Sequence, residues 1–182
     1  MVQRGLFLVT GLPATGKTTL ARALARALAV PLLAKDAIKE PLLEILGAAD
    51  PAASRRLSDA SFAALFALAD AQLAALGAVV LEGNFRAGEH EPALRALLGR
   101  HAVACTQVLC RVPEPLRQTR LKARAADPTR HPGHKDGVWA TAVTQADGFL
   151  DLEGPRHLHD GAMVETAHGS ALIRSLTQRQ LV

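Results

Sequence analysis

Apolar residues in this chain alternate between two patterns. Leu6-Phe7-Leu8-Val9 and Ala78-Val79-Val80-Leu81 are continuous runs, which suit strands covered on both faces. Between them the apolar positions recur at helical spacing. Leu20, Leu24 and Leu28 fall on every fourth residue with Arg22 and Arg26 off that stripe, which predicts a helix over 16–29. A short strand over 30–34 follows, then a helix from Asp36 through 46, with Asp50-Pro51 breaking the chain. Phe62, Phe66, Ala69, Leu73 and Leu76 repeat at steps of four and three, predicting a long helix over 54–76 that Gly77 ends. A helix over 89–99 and a strand over 104–112 come next. Pro113 and Pro115 suit the start of a helix carrying Arg117, Arg120 and Arg124 on one side. Residues 127–137, with two Pro, two Gly and two His, read as a polar loop. Beyond them the pattern predicts a helix over 138–149, a last strand over 162–166 and a terminal helix from 170.

Strands alternating with helices predict an α/β fold, a parallel sheet with right-handed crossovers and helices on both faces. The 182 residues suit one such domain spanning the chain. In sheets of this kind ligands bind beyond the carboxyl ends of the strands. The segments after Val9, Ala34, Leu81 and Val112 all lie at those ends.

Composition narrows the possibilities. No apolar run reaches the roughly 18 residues of a membrane span, and the N-terminus lacks a long apolar signal segment, so a cytoplasmic protein is expected. Cys105 and Cys110 stand at an odd offset in one predicted strand, facing opposite sides of the sheet, and cannot bridge each other. The net charge of +4 is modest evidence for an anionic partner. Nucleic acid is not favoured as that partner: the chain has no Tyr, one Trp and five Phe, too few aromatics for base stacking.

The strongest chemical signal follows the first apolar run. Gly11-Leu12-Pro13-Ala14-Thr15-Gly16-Lys17-Thr18 has the form Gly-x4-Gly-Lys-Thr and precedes the first amphipathic helix, continuing into Thr19. Glycines let the backbone curl so that successive N–H groups point inward, and the helix adds its positive dipole end. A nucleotide triphosphate matches that cavity. Lys17 would reach the β- and γ-phosphates, and the Thr18 hydroxyl would join the shell of a magnesium ion.

Three further segments carry a family resemblance: Lys35-Asp36-Ala37-Ile38-Lys39-Glu40 after the second strand, Val79-Val80-Leu81-Glu82-Gly83-Asn84-Phe85, and Arg120-Leu121-Lys122-Ala123-Arg124 followed by Arg130-His131-Pro132-Gly133-His134. With the glycine loop they resemble the small P-loop kinases, most closely the AAA_33, zeta-toxin and chloramphenicol phosphotransferase-like branch. The resemblance spans most of residues 5–130. It implies a three-layer P-loop NTPase fold, a five-stranded parallel sheet in nucleoside-kinase-like order, and a lid around 125–137. By the same resemblance Asp36 would orient and deprotonate an accepting hydroxyl, although an Asp here also serves as a helix cap. Glu82 would hold magnesium or touch the substrate; many relatives have Asp there, and the longer Glu leaves the direct metal role open. Arg120, Arg124 and Arg130 would be lid cations against the base and phosphates of ATP. Asn84 and Arg86 fall beside the acceptor.

What this resemblance implies is an ATP- and Mg2+-dependent kinase moving the γ-phosphoryl group to a hydroxyl of a small molecule or nucleotide-type acceptor. A nucleoside monophosphate kinase would need arginines between the second and third strands, where Arg55 and Arg56 are the one pair. The same residues would also suit a polynucleotide 5′-hydroxyl kinase or, outside catalysis of transfer, a nucleotide-binding regulator with slow ATPase activity. No motif names the acceptor, and the oligomeric state, monomer or homodimer, stays open.

Overall fold

The computed structural model describes residues 4–129, 131, 148–162 and 167–178. Five strands, β1 (Gly5–Thr10), β2 (Leu32–Ala34), β3 (Ala78–Glu82), β4 (Cys105–Arg111) and β5 (Arg156–Asp160), form one sheet in the order β2-β3-β1-β4-β5. All neighbouring pairs are parallel, with β1 between β3 and β4: Val9 pairs with Glu82 on one side and Val108 on the other. Burial explains the sequence of the central strands. Every residue of β1 and β3 is buried, as the continuous apolar runs require.

Helices α1 (Lys17–Leu28), α2 (Lys35–Leu46), α3 (Pro51–Leu76), α4 (Glu91–His101), α5 (Glu114–Ala125) and α6 (Ala167–Gln178) complete the described elements. The core lies in two layers. On one face of the sheet Phe7, Val9, Val80, Val108 and Cys110 meet Leu20, Leu24 and Leu28 of α1 and Leu176 of α6. On the other, Leu6, Leu8, Val79, Leu81 and Cys105 meet Phe62, Leu65, Ala69 and Leu73 of α3 and Leu94 and Leu97 of α4. The two cysteines therefore do face opposite sides, and they form no disulfide with each other.

Several boundaries differ from expectation. Asp50 and Pro51 start α3 instead of merely interrupting the chain: the Asp50 carboxylate accepts from the Ala53 N–H at 2.6 Å, and Pro fits the first helical turn. Among the described residues the last strand is Arg156–Asp160, a strand not expected from the sequence. Its polar sequence hides it from a search for apolar runs, because it is an edge strand whose Leu158 is 55% exposed and whose place is set by pairing with β4. Ala162 lies in the turn after β5, and 163–166 fall outside the described residues. Most of the expected 138–149 helix lies outside them too, and Gly148 and Phe149 at its end are not helical. Although no single apolar run is long enough, α3 as a whole is long and apolar enough to cross a membrane by length and composition. It lies instead across the sheet, with Phe62, Leu65, Ala69 and Leu73 in the core.

Candidate active site

β1 ends at Thr10 and the backbone turns sharply over Gly11-Leu12-Pro13-Ala14-Thr15-Gly16 into α1. Gly11 has φ 139°, and a Cβ there would collide with the Cys110 carbonyl of β4. Only glycine lets the loop lie this close to the sheet. Ala14 (φ 66°) and Gly16 (φ 89°) take left-handed conformations. Successive N–H groups in such conformations form an anion-binding concavity. Gly16 caps α1 without a side chain, and no acidic residue stands in the first turn of the helix, so its positive end has no carboxylate of its own there.

Inside this loop the Lys17 ammonium donates to the Leu12 carbonyl at 2.9 Å, as does the Thr15 hydroxyl at 2.8 Å. Burial pulls the Lys17 pKa below the ordinary lysine value, while Glu82 and Asp36 act in the opposite direction. The Thr18 hydroxyl donates to Glu82 Oε2 at 3.3 Å, joining the start of α1 to the end of β3 across 64 residues of sequence. Glu82 is only 4% exposed, and burial pushes its carboxyl above the usual range. Thr19, next in α1, is exposed.

α2 leaves β2 without a loop, capped by the backbone of Ala34, so Asp36 stands in its first turn and is not the cap residue. Its carboxylate pairs with the Lys35 ammonium at 3.0 Å, and the Lys35 side chain is buried. Asp36 and Glu82 are close enough for the charge of each to be felt by Lys17, and that of Asp36 by Glu82. Loop lysine and both acids thus converge at the carboxyl ends of β1, β2 and β3.

From the other side α5 closes on the loop. The Arg120 guanidinium donates to the Ala14 carbonyl at 3.5 Å and to the Gly161 carbonyl, just after β5, at 2.8 Å. Arg124, one turn on, lies near enough to Lys17 for its charge to oppose that of the lysine. Arg117, expected on the same stripe, is 2% exposed and makes a two-pronged pair with Glu114 at 2.7 Å. Arg86 is likewise committed to Glu89, at 2.7 and 2.8 Å, and Asn84 is half-buried between β3 and that pair. Arg130 and most of the expected lid lie outside the described residues; His131 is 3.3 Å from Glu44 at the far end of α2.

Two contributors were given no role from the sequence. Lys35 gains its surroundings where α2 and β3 come together: a Cβ on Gly83 would touch the Lys35 stem and the Phe62 and Phe85 rings. Gly161 lies against the Thr15 carbonyl so closely that any Cβ would clash, a constraint visible only once β5 is placed. Among the described residues no cluster of three or more His, Cys, Asp or Glu could hold a metal ion unaided.

A parallel sheet in this order, with a glycine loop after its middle strand and a helix opening on the loop, defines the kinase-like class of P-loop α/β proteins. The chain belongs to the AAA_33 family, described as an AAA domain, whose model matches residues 6–145. Among solved structures it is similar to a candidate kinase from Chloroflexus aurantiacus J-10-fl, 31% identical, with a TM-score of 0.85 over 96% of this chain and 97% of that one. More distant likenesses share the fold: the APS kinase of Mycobacterium tuberculosis in complex with AMPPNP and APS (20% identity, TM-score 0.58, 96% and 98% of the two chains) and a gluconokinase from Sinorhizobium meliloti 1021 (18%, 0.57, 99% and 100%). No curated protein matches the chain significantly.

Proposed function

We propose that this protein is an ATP-dependent phosphotransferase acting on a hydroxyl-bearing small molecule or nucleotide-type acceptor. The observation that carries this reading is the convergence around Lys17: a phosphate-shaped loop on one side, and the Glu82 and Asp36 carboxylates on the other. Lys17 leaves the Leu12 carbonyl for the β- and γ-phosphates, and the loop N–H groups hold the remaining oxygens. Kinship with kinases, one of them holding AMPPNP, supports ATP as donor.

Thr18 and Glu82 offer two hard oxygen donors 3.3 Å apart, a set that fits Mg2+ directly or through water. When bound, the ion would neutralise charge on the β- and γ-phosphate oxygens. Asp36 orients the acceptor in line with the γ-phosphorus and takes the hydroxyl proton. The acceptor oxygen bonds to that phosphorus as the bond to the ADP oxygen breaks. Arg124, with Arg130, screens the transferring charge, and Arg120 braces the loop from behind. Residues 125–137 act as a lid that excludes water.

The test is ADP release with a panel of acceptors: sugars, nucleosides, nucleoside monophosphates, aminoglycosides, phenicols and oligonucleotides. A kinase accelerates strongly with its acceptor, whereas a regulator with slow ATPase activity responds to none. Lys17→Ala is expected to lower acceptor-dependent turnover by ~10² or more. Asp36→Asn is expected to bind ATP normally and lose ~10²–10⁴ in transfer rate. Full transfer by Asp36→Asn would remove the proposed base.

A further inference from the structure

Lys39 stands one turn beyond Lys35 on α2, on the side that faces α3. Around it the charges are matched almost one to one. Lys35 pairs with Asp36 at 3.0 Å, Arg86 with Glu89 at 2.7 Å, and Arg55 with Asp59 and Glu89 at 3.1 and 3.0 Å. Lys39 is the exception among these cations. Its ammonium donates to a neutral hydroxyl, Ser54 Oγ, at 3.2 Å, and no described carboxylate lies within ion-pair distance.

This arrangement is costly for an ammonium. Lys39 is half-buried, and burial first, then the charges of Lys35 and Arg86, lower its pKa below the ordinary lysine value against the opposing charges of Asp36 and Asp59. An ammonium held by one neutral acceptor keeps two donors for another group. The start of α2 meets the N-terminal turn of α3 through Lys39 and Ser54 and meets Gly83 through the Lys35 stem, and it is beside these segments that an acceptor of the proposed reaction reaches Asp36.

We infer that the acceptor is a small hydroxyl compound carrying an anionic group, a carboxylate or a phosphate, and that Lys39 with Ser54 binds that group while Asp36 receives the hydroxyl. This rests on the phosphotransferase reading. The geometry is economical: Asp36 and Lys39 lie three residues apart on one helix, so their side chains stand on neighbouring positions of one face. A molecule spanning them has its hydroxyl end toward Lys17 and its anionic end toward Ser54. Lys39 is then a specificity-determining residue, separate from the donor-side cations Lys17 and Arg124.

The experiment compares ADP release for matched pairs: gluconate against glucitol, hexose 6-phosphate against hexose, and nucleoside 5′-monophosphate against nucleoside. At least one anionic member is expected to exceed its neutral partner in kcat/KM by tenfold or more, the scale of one charge-assisted contact. Which pair responds separates carboxylate from phosphate. Lys39→Met is expected to collapse that ratio to within about threefold of unity, mainly through KM, and Lys39→Arg to preserve it. Turnover that favours a neutral member, or a ratio unchanged in Lys39→Met, overturns the inference while leaving the kinase reading intact. Acceleration by oligonucleotides alone would also overturn it. If no acceptor raises ADP release above buffer, the kinase reading itself falls.

Discussion

Glu82 occupies a position where a carboxylate is held at a cost. It is buried at the end of β3 and receives one long hydrogen bond from Thr18, and its pKa is raised above the usual 4.5. A raised folded-state pKa means the folded protein binds the proton more tightly than the unfolded chain, so stability is fullest below 4.5 and declines as pH climbs through the folded value. Glu82→Gln removes that decline and leaves an oxygen for Thr18. Without nucleotide, the variant is expected to melt higher at neutral pH, by roughly 2–4 °C for each kcal/mol gained, with a flatter dependence on pH above about 4.5. Melting curves from about pH 4 to 8 test this, and an unchanged profile would mean the carboxylate is not strained. The same substitution should slow turnover, since stability and function compete at this residue.

At the scale of elements, the site depends on how helices are started and tied down. Asp50 closes the first turn of α3 through the Ala53 N–H, and α3 carries Ser54 to Lys39 of α2, Arg55 to Glu89 and Phe62 to Phe85. Asp50→Ala is expected to cost about 1 kcal/mol by loss of the cap. Urea denaturation should show a lower midpoint at constant slope; a midpoint equal to wild type would mean Pro51 alone defines the helix start. At its other end α3 is clamped to α4, where Asp70 takes His101 at 2.6 Å and Arg100 at 2.9 Å. Much of this level was readable in sequence, since α1, α3 and β3 follow from periodicity and continuous apolar runs. β5 was not, because an edge strand reading Arg-His-Leu-His-Asp has no such signature and forms where Gln107 and its neighbours supply a partner. Nor was the burial of Arg117, since a stripe of arginines on a helix reads as solvated until the helix is packed.

For the whole molecule, the sheet separates two cores, and the cysteines report on both. Cys105 belongs to the layer under α3 and α4, and Cys110 to the layer under α1 and α6. Burial pushes the Cys105 thiol up to about 12. Because both side chains are fully buried, neither cysteine is expected to react with a thiol reagent in the native protein at about pH 8. Both should react at once in denaturant. Prompt labelling of one thiol in the native state would show that its layer opens locally. Saturating ATP should slow any such labelling of Cys110, whose carbonyl lies against Gly11 of the loop.

The glycine-loop half of the candidate site was determined by sequence, and the reason is locality. Residues 11–18 are contiguous, so their glycines, lysine and helix start carry the loop geometry wherever the strand and helix around them form. Asp36 and Glu82 were legible as acids at strand ends, because a parallel α/β sheet directs those ends to one cleft. What each does there depends on partners distant in the chain. Thr18 meets Glu82 across 64 residues, Arg120 meets Ala14 across 106, and Lys39 meets Ser54 only because α2 folds back along α3. Which cations pair with carboxylates and which one donates to a hydroxyl instead is a property of packing, and only the tertiary structure decides it.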